Sequence, residues 1–516
     1  MNIKQISPYQ IFDSRGEPTI MVRIISDSGN SADFSVPAGA SRGTNEAAEK
    51  RDGGNDYNGN GVLNSIELIS NVIAPKFIGY PLGQQDDFDG LLIALDGSEK
   101  KENLGGNTLL GLSGAYLKLS AAEAEKPLWQ YIAETNQTTP EFPRLFANIV
   151  GGGKHAPGLD IQEYMVVPQT NTPTDAIQVI YNVYHTIQKV MQNLYGPSAK
   201  LVGDEGGLAP IGTNTEVILE AFSQLNSKME AKFDIALDAA ANTFYKEGVY
   251  TVENQQLHAS DLLKLYEAWD AKFPIFSIED PFAENDIEGI EILKTLPRPE
   301  KPFLIIGDDY TVTNKTKIEE LQKSNLFDGI IIKPNQVGTI TETFEAIKAA
   351  RASKAKVIIS HRSGETNDDF IVDLAYGVGA MGIKLGAPMR GERVAKYNRL
   401  LEIQADLNAN QVNLSNPSNQ NITPTSTEKS EPIQTPQPTQ TAPIPPTPNL
   451  NVASTPTQST PPPPVAPTVP PPAPLPSQQP AATSPYAQTQ TQQDNAINQS
   501  APPTSPPSPL GPQLST

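Results

Sequence analysis

Between Phe233 and Lys384 one local pattern recurs six times: a short apolar, largely β-branched run that stops at a charged or polar residue. The runs are Ile235-Ala-Leu-Asp238, Ile275-Phe-Ser-Ile-Glu279, Phe303-Leu-Ile-Ile-Gly-Asp308, Gly329-Ile-Ile-Ile-Lys333, Val357-Ile-Ile-Ser-His361-Arg362 and Met381-Gly-Ile-Lys384. Their polar ends lie 41, 29, 25, 28 and 23 residues apart, the length of a strand, a loop, a helix and a return loop. Continuous apolar runs this short read as strands buried on both faces, as a parallel sheet covered by helices requires. The segments between them read as helices, for instance Thr316–Lys323 and Thr339–Ala352. Strands alternating with helices in this way predict a (β/α)-barrel, whose catalytic groups sit at the C-terminal ends of the strands. Three carboxylates, a lysine, a His-Arg-Ser run and a second lysine occupy those ends.

The rest of the chain is placed relative to this ring. Residues 1–135 read as a smaller α+β unit. Ile20, Val22 and Ile24 alternate with polar neighbours, Asp27-Ser-Gly-Asn30 supplies a turn, and Ala32, Phe34 and Val36 alternate again, a hairpin signal. A loop of small residues, Pro37 to Thr44, follows, and helices are expected near Leu63–Ile73 and Thr108–Glu125. Residues 136–410 form the barrel, with a further helix expected near Asp175–Leu194. From 411 to 516 the composition changes: this stretch holds 28 of the 48 prolines and only four charged residues. Such a segment cannot bury enough apolar surface to offset its ordering entropy, so a disordered, Pro-rich tail is expected.

Composition removes several function classes. The net charge of −20 argues against a nucleic-acid partner. With no cysteine in the chain, disulfides, thiolate nucleophiles and Cys-based zinc sites are excluded. No stretch reaches the ~18 apolar residues of a membrane span, and the N-terminus has no apolar leader. The expectation is a soluble cytoplasmic protein.

Asp238, Glu279 and Asp308 are hard oxygen donors at consecutive strand ends, a set that suits Mg²⁺. Asp280 and Asp309 stand beside them. Lys333 and Lys384 end apolar strands, where a buried ammonium beside bound cations is disfavoured, which makes each a candidate base. His361-Arg362-Ser363-Gly364 offers guanidinium donors and a hydroxyl before a glycine turn, a sensible phosphate seat. His155 lies in a glycine-flanked loop, whereas His185 and His258 have helical contexts. Glu163 and Glu205 add two carboxylates, and Gly203, Gly206 and Gly207 give the backbone around Glu205 freedom to aim it into a cavity.

Asp13-Ser-Arg-Gly-Glu-Pro-Thr19, Gly203-Asp-Glu-Gly-Gly207, Ser277-Ile-Glu-Asp280, Gly307-Asp-Asp309, Lys333-Pro-Asn-Gln336 and Ser360-His-Arg-Ser-Gly-Glu-Thr366 resemble, in order, the motifs of the enolase family. The likeness runs from about residue 3 to 405. It implies a (β/α)8-type TIM barrel of the enolase kind behind a smaller N-terminal α+β domain. It also implies reversible dehydration of 2-phospho-D-glycerate to phosphoenolpyruvate with two Mg²⁺ per site. By motif, Lys333 resembles the base that takes the C2 proton and Glu205 the acid that protonates the departing 3-hydroxyl. Asp238, Glu279 and Asp308 resemble the ligands of the first metal, and Ser41 the residue that reaches the second. Arg362 and Ser363 resemble the phosphate contacts and Lys384 a contact to the substrate carboxylate. His155, Gln162 and Glu163 match neighbouring substrate-side positions. A homodimer or higher homo-oligomer, without nucleic-acid or membrane-spanning partners, is implied as well, with a surface or secreted pool in addition to the cytoplasm.

The chain departs from the family pattern in three places. Arg42 stands where a threonine is usual, and the loop after His155 is one residue shorter with Lys154 where an acid is common. The proline-rich tail is not a family feature. None of these removes a catalytic group. A related superfamily lyase or racemase is disfavoured by Lys333 together with the Ser360–Thr366 block. A scaffold role, in which the tail recruits partners, is an addition to the enzyme reading.

Overall fold

The computed structural model describes residues 1–39, 45–296 and 303–415. Ser41 and Arg42, together with the proline-rich tail, fall outside the described residues.

The N-terminal part opens with an antiparallel meander: β1 (Ile3–Phe12), β2 (Pro18–Ser26) and β3 (Ser31–Ser35). The β2–β3 hairpin is the one its alternation predicts, with Gly29 at φ +99° in the turn. Ile20, Val22 and Ile24 point inward and are buried. They pack against the helix Gly106–Glu123, which approaches closely because Gly111 and Gly114 present no side chain to the sheet. A Cβ at Gly114 would lie 2.2 Å from the Phe34 ring. Between sheet and helix, the segment expected as one helix over Leu63–Ile73 is α-helical to Leu68 and widens into a π turn over Ile69–Ile73.

The barrel begins with β4 (Arg144–Gly151), β5 (Glu163–Pro168) and β6 (Phe233–Asp238). A small antiparallel sheet follows, β7 (Tyr245–Lys246), β8 (Val249–Val252) and β9 (Gln255–Leu257). Then come β10 (Ile275–Glu279), β11 (Leu304–Gly307), β12 (Gly329–Ile332), β13 (Lys356–Ser360) and β14 (Gly382–Lys384). β4, β5, β6 and β10 to β14 close into an eight-stranded barrel, β14 pairing with β4. Phe146, Met165, Val167, Ala236, Ile306, Ile331 and Ile358 fill its interior. The helices expected at Thr316–Lys323 and Thr339–Ala352 are found at Lys315–Gln322 and Ile340–Ala352. The latter starts where the Thr339 hydroxyl accepts the Glu342 N–H, an N-cap.

The ring is not uniformly parallel. β5 runs antiparallel to both β4 and β6, because β4 and β5 are joined by a loop without a crossover helix, and a direct return reverses direction. Two helices in succession, Pro173–Tyr195 and Thr215–Lys228, then bring the chain back for β6 to run parallel to β10. Two consequences reach the functional end of the barrel. Glu163, the first residue of β5, sits in register with Asp238, the last of β6, which is itself in register with Glu279. The loop between the two helices, which carries Glu205, returns to that same end.

The last helix, Gly391–Ser415, packs on the helix Pro173–Tyr195 and runs slightly past the compositional break near 411. The N-terminal part meets the barrel rim through backbone: Ala38 and Gly364 exchange N–H···O bonds of 2.8 and 2.9 Å, and Ser14 donates its N–H to Glu365 O at 2.7 Å. The edge of the Pro37–Thr44 loop is thereby tied to the His361–Thr366 segment.

Candidate active site

The strand ends and their loops enclose a cavity of about 200 Å³. His155, Gln162, Glu163, Glu205, Asp238, Asp308, Lys333, Arg362, Ser363 and Lys384 all line it. Glu279 lies directly behind, reached through Lys384. Of the site residues expected from the sequence, only Ser41 is not placed, since it falls outside the described residues.

On one side, Lys384 Nζ sits among three carboxylates: Glu279 Oε2 at 2.9 Å, Asp238 Oδ2 at 3.1 Å and Glu163 Oε2 at 3.3 Å. Lys333 Nζ donates to Asp308 Oδ2. Gln162 Nε2 reaches Asp238 Oδ2 at 3.4 Å, and Gln336 Nε2 reaches Asp308 Oδ1 at 3.2 Å. Asp280 holds the β11 end in place: its two carboxylate oxygens accept the N–H groups of Asp308 at 2.9 Å and Asp309 at 2.8 Å. It does so from a left-handed backbone, φ +42°, a conformation a non-glycine residue keeps only when its surroundings impose it.

Across the cavity, Glu205 is buried and surrounded by donors. Asn148 Nδ2 donates to Oε2 at 3.1 Å, His155 Nδ1 lies 3.4 Å from the same oxygen, and His361 Nε2 lies 3.5 Å from Oε1. The glycines around it are required by close approach: a Cβ on Gly203 would fall 2.4 Å from His155 O, and Gly206 has φ +81°. At the third side, Arg362 donates to Asn335 Oδ1 at 2.8 Å and to both Glu46 carboxylate oxygens at 3.2–3.3 Å.

The electrostatics follow from crowding acids in a dry cavity. Burial, followed by repulsion from Glu205, pushes Glu163 up to about 8. Burial and Asp238 push Glu279 well above the carboxylate range, and burial with Asp308 raises Asp309 to about 6. Asp308 itself is lowered: burial opposes its charge, but Lys333 outweighs it. Lys333 and Lys384 are both raised, since burial favours the neutral amine and the facing carboxylates overcome it. Burial alone therefore does not make Lys333 a base; the acids around it hold it protonated.

Eight carboxyl groups and four cationic side chains line the cavity among the described residues. An anionic substrate is repelled from such a place unless further positive charge enters it. Asp280, Asp308 and Asp309 bring carboxylate oxygens within 4.8 Å of one another, as do the donor atoms of His155, Glu163 and Glu205. Buried hard oxygen donors in excess of their cations are what a divalent ion such as Mg²⁺ takes.

Residues 3–132 match the family model of the enolase N-terminal domain, and residues 140–421 that of the enolase C-terminal TIM barrel domain. The chain belongs to the enolase family. It is 42% identical over 415 residues to the enolase of Elusimicrobium minutum, covering 78% of this chain and 96% of that one. It is 40% identical over 408 residues to that of Aeropyrum pernix, covering 78% and 94%, and 39% identical over 409 residues to that of Methanocaldococcus jannaschii, covering 78% and 95%. As an enolase it is a phosphopyruvate hydratase, a lyase of glycolysis, and the family depends on Mg²⁺ in general. No helix among the described residues is long and apolar enough to cross a membrane.

Three residues that contact the cavity's side chains or their backbone carry no signal of those contacts in the sequence. Asn148, inside β4, reads as a strand interruption rather than a Glu205 donor. Glu46, two residues past the small-residue loop, is an ordinary acid until Arg362 is seen to face it. Arg393 lies in a charged stretch, Arg390-Gly-Glu-Arg393, that reads as a solvated helix start, yet it is fully buried.

Proposed function

We propose that Lys333 and Glu205 divide the proton work of the enolase reaction between them. Lys333, as the neutral amine, takes the proton from C2 of 2-phospho-D-glycerate, and the electron pair moves into the substrate carboxylate. The C3–O bond then breaks as the C2=C3 bond forms, and Glu205 gives its proton to the departing hydroxyl, which leaves as water. The observation that supports this best is that Lys333, just past the end of β12, and Glu205, from the helix–helix loop, line one cavity together with the acid cluster. Arg362 and Ser363 take the phosphate, Lys384 the carboxylate, and His155, Gln162 and Glu163 shape the substrate side. By the family motifs, Asp238, Glu279 and Asp308 would hold the first of two Mg²⁺, and Ser41 would be a ligand of the second. Bound there, divalent charge offsets the carboxylates that keep Lys333 protonated and stabilises the negative charge that builds on the substrate carboxylate. A homodimeric assembly and a cytoplasmic location rest on the family resemblance alone.

The test is phosphoenolpyruvate formation followed by ultraviolet absorbance. Turnover is expected with Mg²⁺ and not after chelation. Lys333→Ala is expected to keep its fold and its Mg²⁺ binding by calorimetry while losing at least about 10³-fold in kcat. Near-normal turnover in Lys333→Ala would remove the assignment.

A further inference from the structure

Arg393 stands in the first turn of the helix Gly391–Ser415, with no side-chain exposure. Its guanidinium is spent on the segment that carries His361, Arg362 and Ser363 and on the loop that carries Glu205. Nη1 contacts His361 Nδ1 at 2.5 Å and donates to Arg362 O at 2.7 Å. Nη2 donates to Ser363 O at 2.7 Å and to Asp204 O at 3.2 Å. Lys396, one turn on and equally buried, pairs with Glu365 at 2.9 Å and donates to Thr366 O at 3.0 Å. One helix thus grips the segment from beneath.

A guanidinium has donors and no acceptor. At 2.5 Å from Nη1, Nδ1 of His361 has to be the bare lone pair, because a proton there would oppose the guanidinium N–H. The ring proton is left to Nε2, the nitrogen that faces Glu205 Oε1 at 3.5 Å.

We propose that Arg393 is a positioning residue that locks His361 as the neutral Nε2–H tautomer, aiming that N–H at the Glu205 carboxyl. Arg393 touches no substrate; it acts through His361. His361 is then a donor only: it takes no proton from substrate or solvent, and it steadies the carboxylate left on Glu205 once that group has released its proton. The surroundings agree. The groups facing the imidazole are Arg393 and Lys396 from the last helix, Lys384 from β14, His155 from the loop after β4 and Glu205 from the helix–helix loop. Burial, then Arg393, holds His361 well below the ordinary histidine range. The inference rests on the reading of Glu205 as the acid only for its consequence; the tautomer itself follows from the Arg393 contact.

The chain has four histidines, so the full-length protein labelled with ¹⁵N-histidine gives four imidazole patterns in long-range ¹⁵N–¹H correlation spectra, His361 being assigned from the loss in His361→Gln. The expected result is an unprotonated Nδ1 and a protonated Nε2, unchanged from about pH 6 to about pH 9. Arg393→Met is expected to release the ring into mixed tautomers and to lower kcat roughly tenfold with little change in KM. Arg393→Lys, which keeps a cationic donor, is expected to recover the Nε2–H form. An Nδ1–H or doubly protonated His361 in the wild-type spectrum overturns the proposal, whether or not the variants fold. So does Arg393→Met with the wild-type tautomer. Glu205→Gln separates the two readings: full turnover there removes the acid assignment and leaves the tautomer spectrum to stand or fall alone.

Discussion

Glu163 shows how a residue's place can be legible while its environment is not. Its sequence context marks it as a candidate site acid, and the structure sets it in the cavity wall. The rule that barrel chemistry sits at C-terminal strand ends gives no reason to expect it there, since it begins β5 rather than ending it. Its environment carries a pH prediction. Glu163 sits at about 8 against an ordinary 4.5, so the native state keeps a proton that the unfolded chain has already released. Native protein binds more protons across that window, and stability therefore falls as pH rises from about 4.5 to about 8. Glu163→Gln removes the titration, and the metal-free variant should gain relative to wild type as pH rises, by up to about 4 kcal/mol at the top of the window. Thermal melts followed by circular dichroism at pH 5 and pH 8 check this; a constant difference between the two proteins would contradict it. Asp238, Asp308, Lys333 and Lys384 were visible because each ends an apolar run. Arg393 was not, because burial of a charged side chain leaves no periodic mark in the chain.

At the scale of elements, local alternation carried the β2–β3 hairpin, and apolar runs carried the barrel strands from β6 onward. What they could not carry was direction: nothing in Glu163–Pro168 says that the strand runs backwards. That is fixed by the missing crossover helix before it and the helix pair after it. Strand β1 was missed because its apolar positions, Ile3 and Ile6, are separated by a register shift that breaks the period of two. The helix Gly106–Glu123 was expected at nearly its observed limits, but its packing is decided by the glycines on its sheet-facing side. Gly114→Ala forces a methyl group into the Phe34 ring, itself held edge-on by Phe370 at 5.2 Å. Overpacking of this kind costs about 1–3 kcal/mol. The melting temperature should fall by a few degrees with kcat unchanged at permissive temperature, because the helix lies outside the catalytic cavity. A loss of kcat at full stability would mean that the sheet–helix contact is transmitted to the rim through Ala38 and Gly364.

For the whole molecule, charge separates the body from the tail. The proline-rich residues 411–516 carry a net charge of only −2 out of −20, so nearly all the acidity belongs to the part that matches the enolase models. Within that part, acids concentrate around one cavity, where they oppose folding unless cations enter. Cation binding and stability are therefore linked: a cation that binds the folded state alone adds about 2.7 kcal/mol at 100 times its Kd. Mg²⁺ should raise the melting temperature, and chelation should reverse the rise. Asp308→Asn should reduce the rise by removing a proposed ligand. A chain ending at Pro424, just past the matched barrel, should show the full-length chain's Mg²⁺ response, kcat and KM, because the described residues that line the cavity all precede that point. A truncated chain that folds but has lost its Mg²⁺ response would place part of the cation site in the proline-rich segment. One that keeps the response but loses turnover would instead tie that segment to the catalytic step.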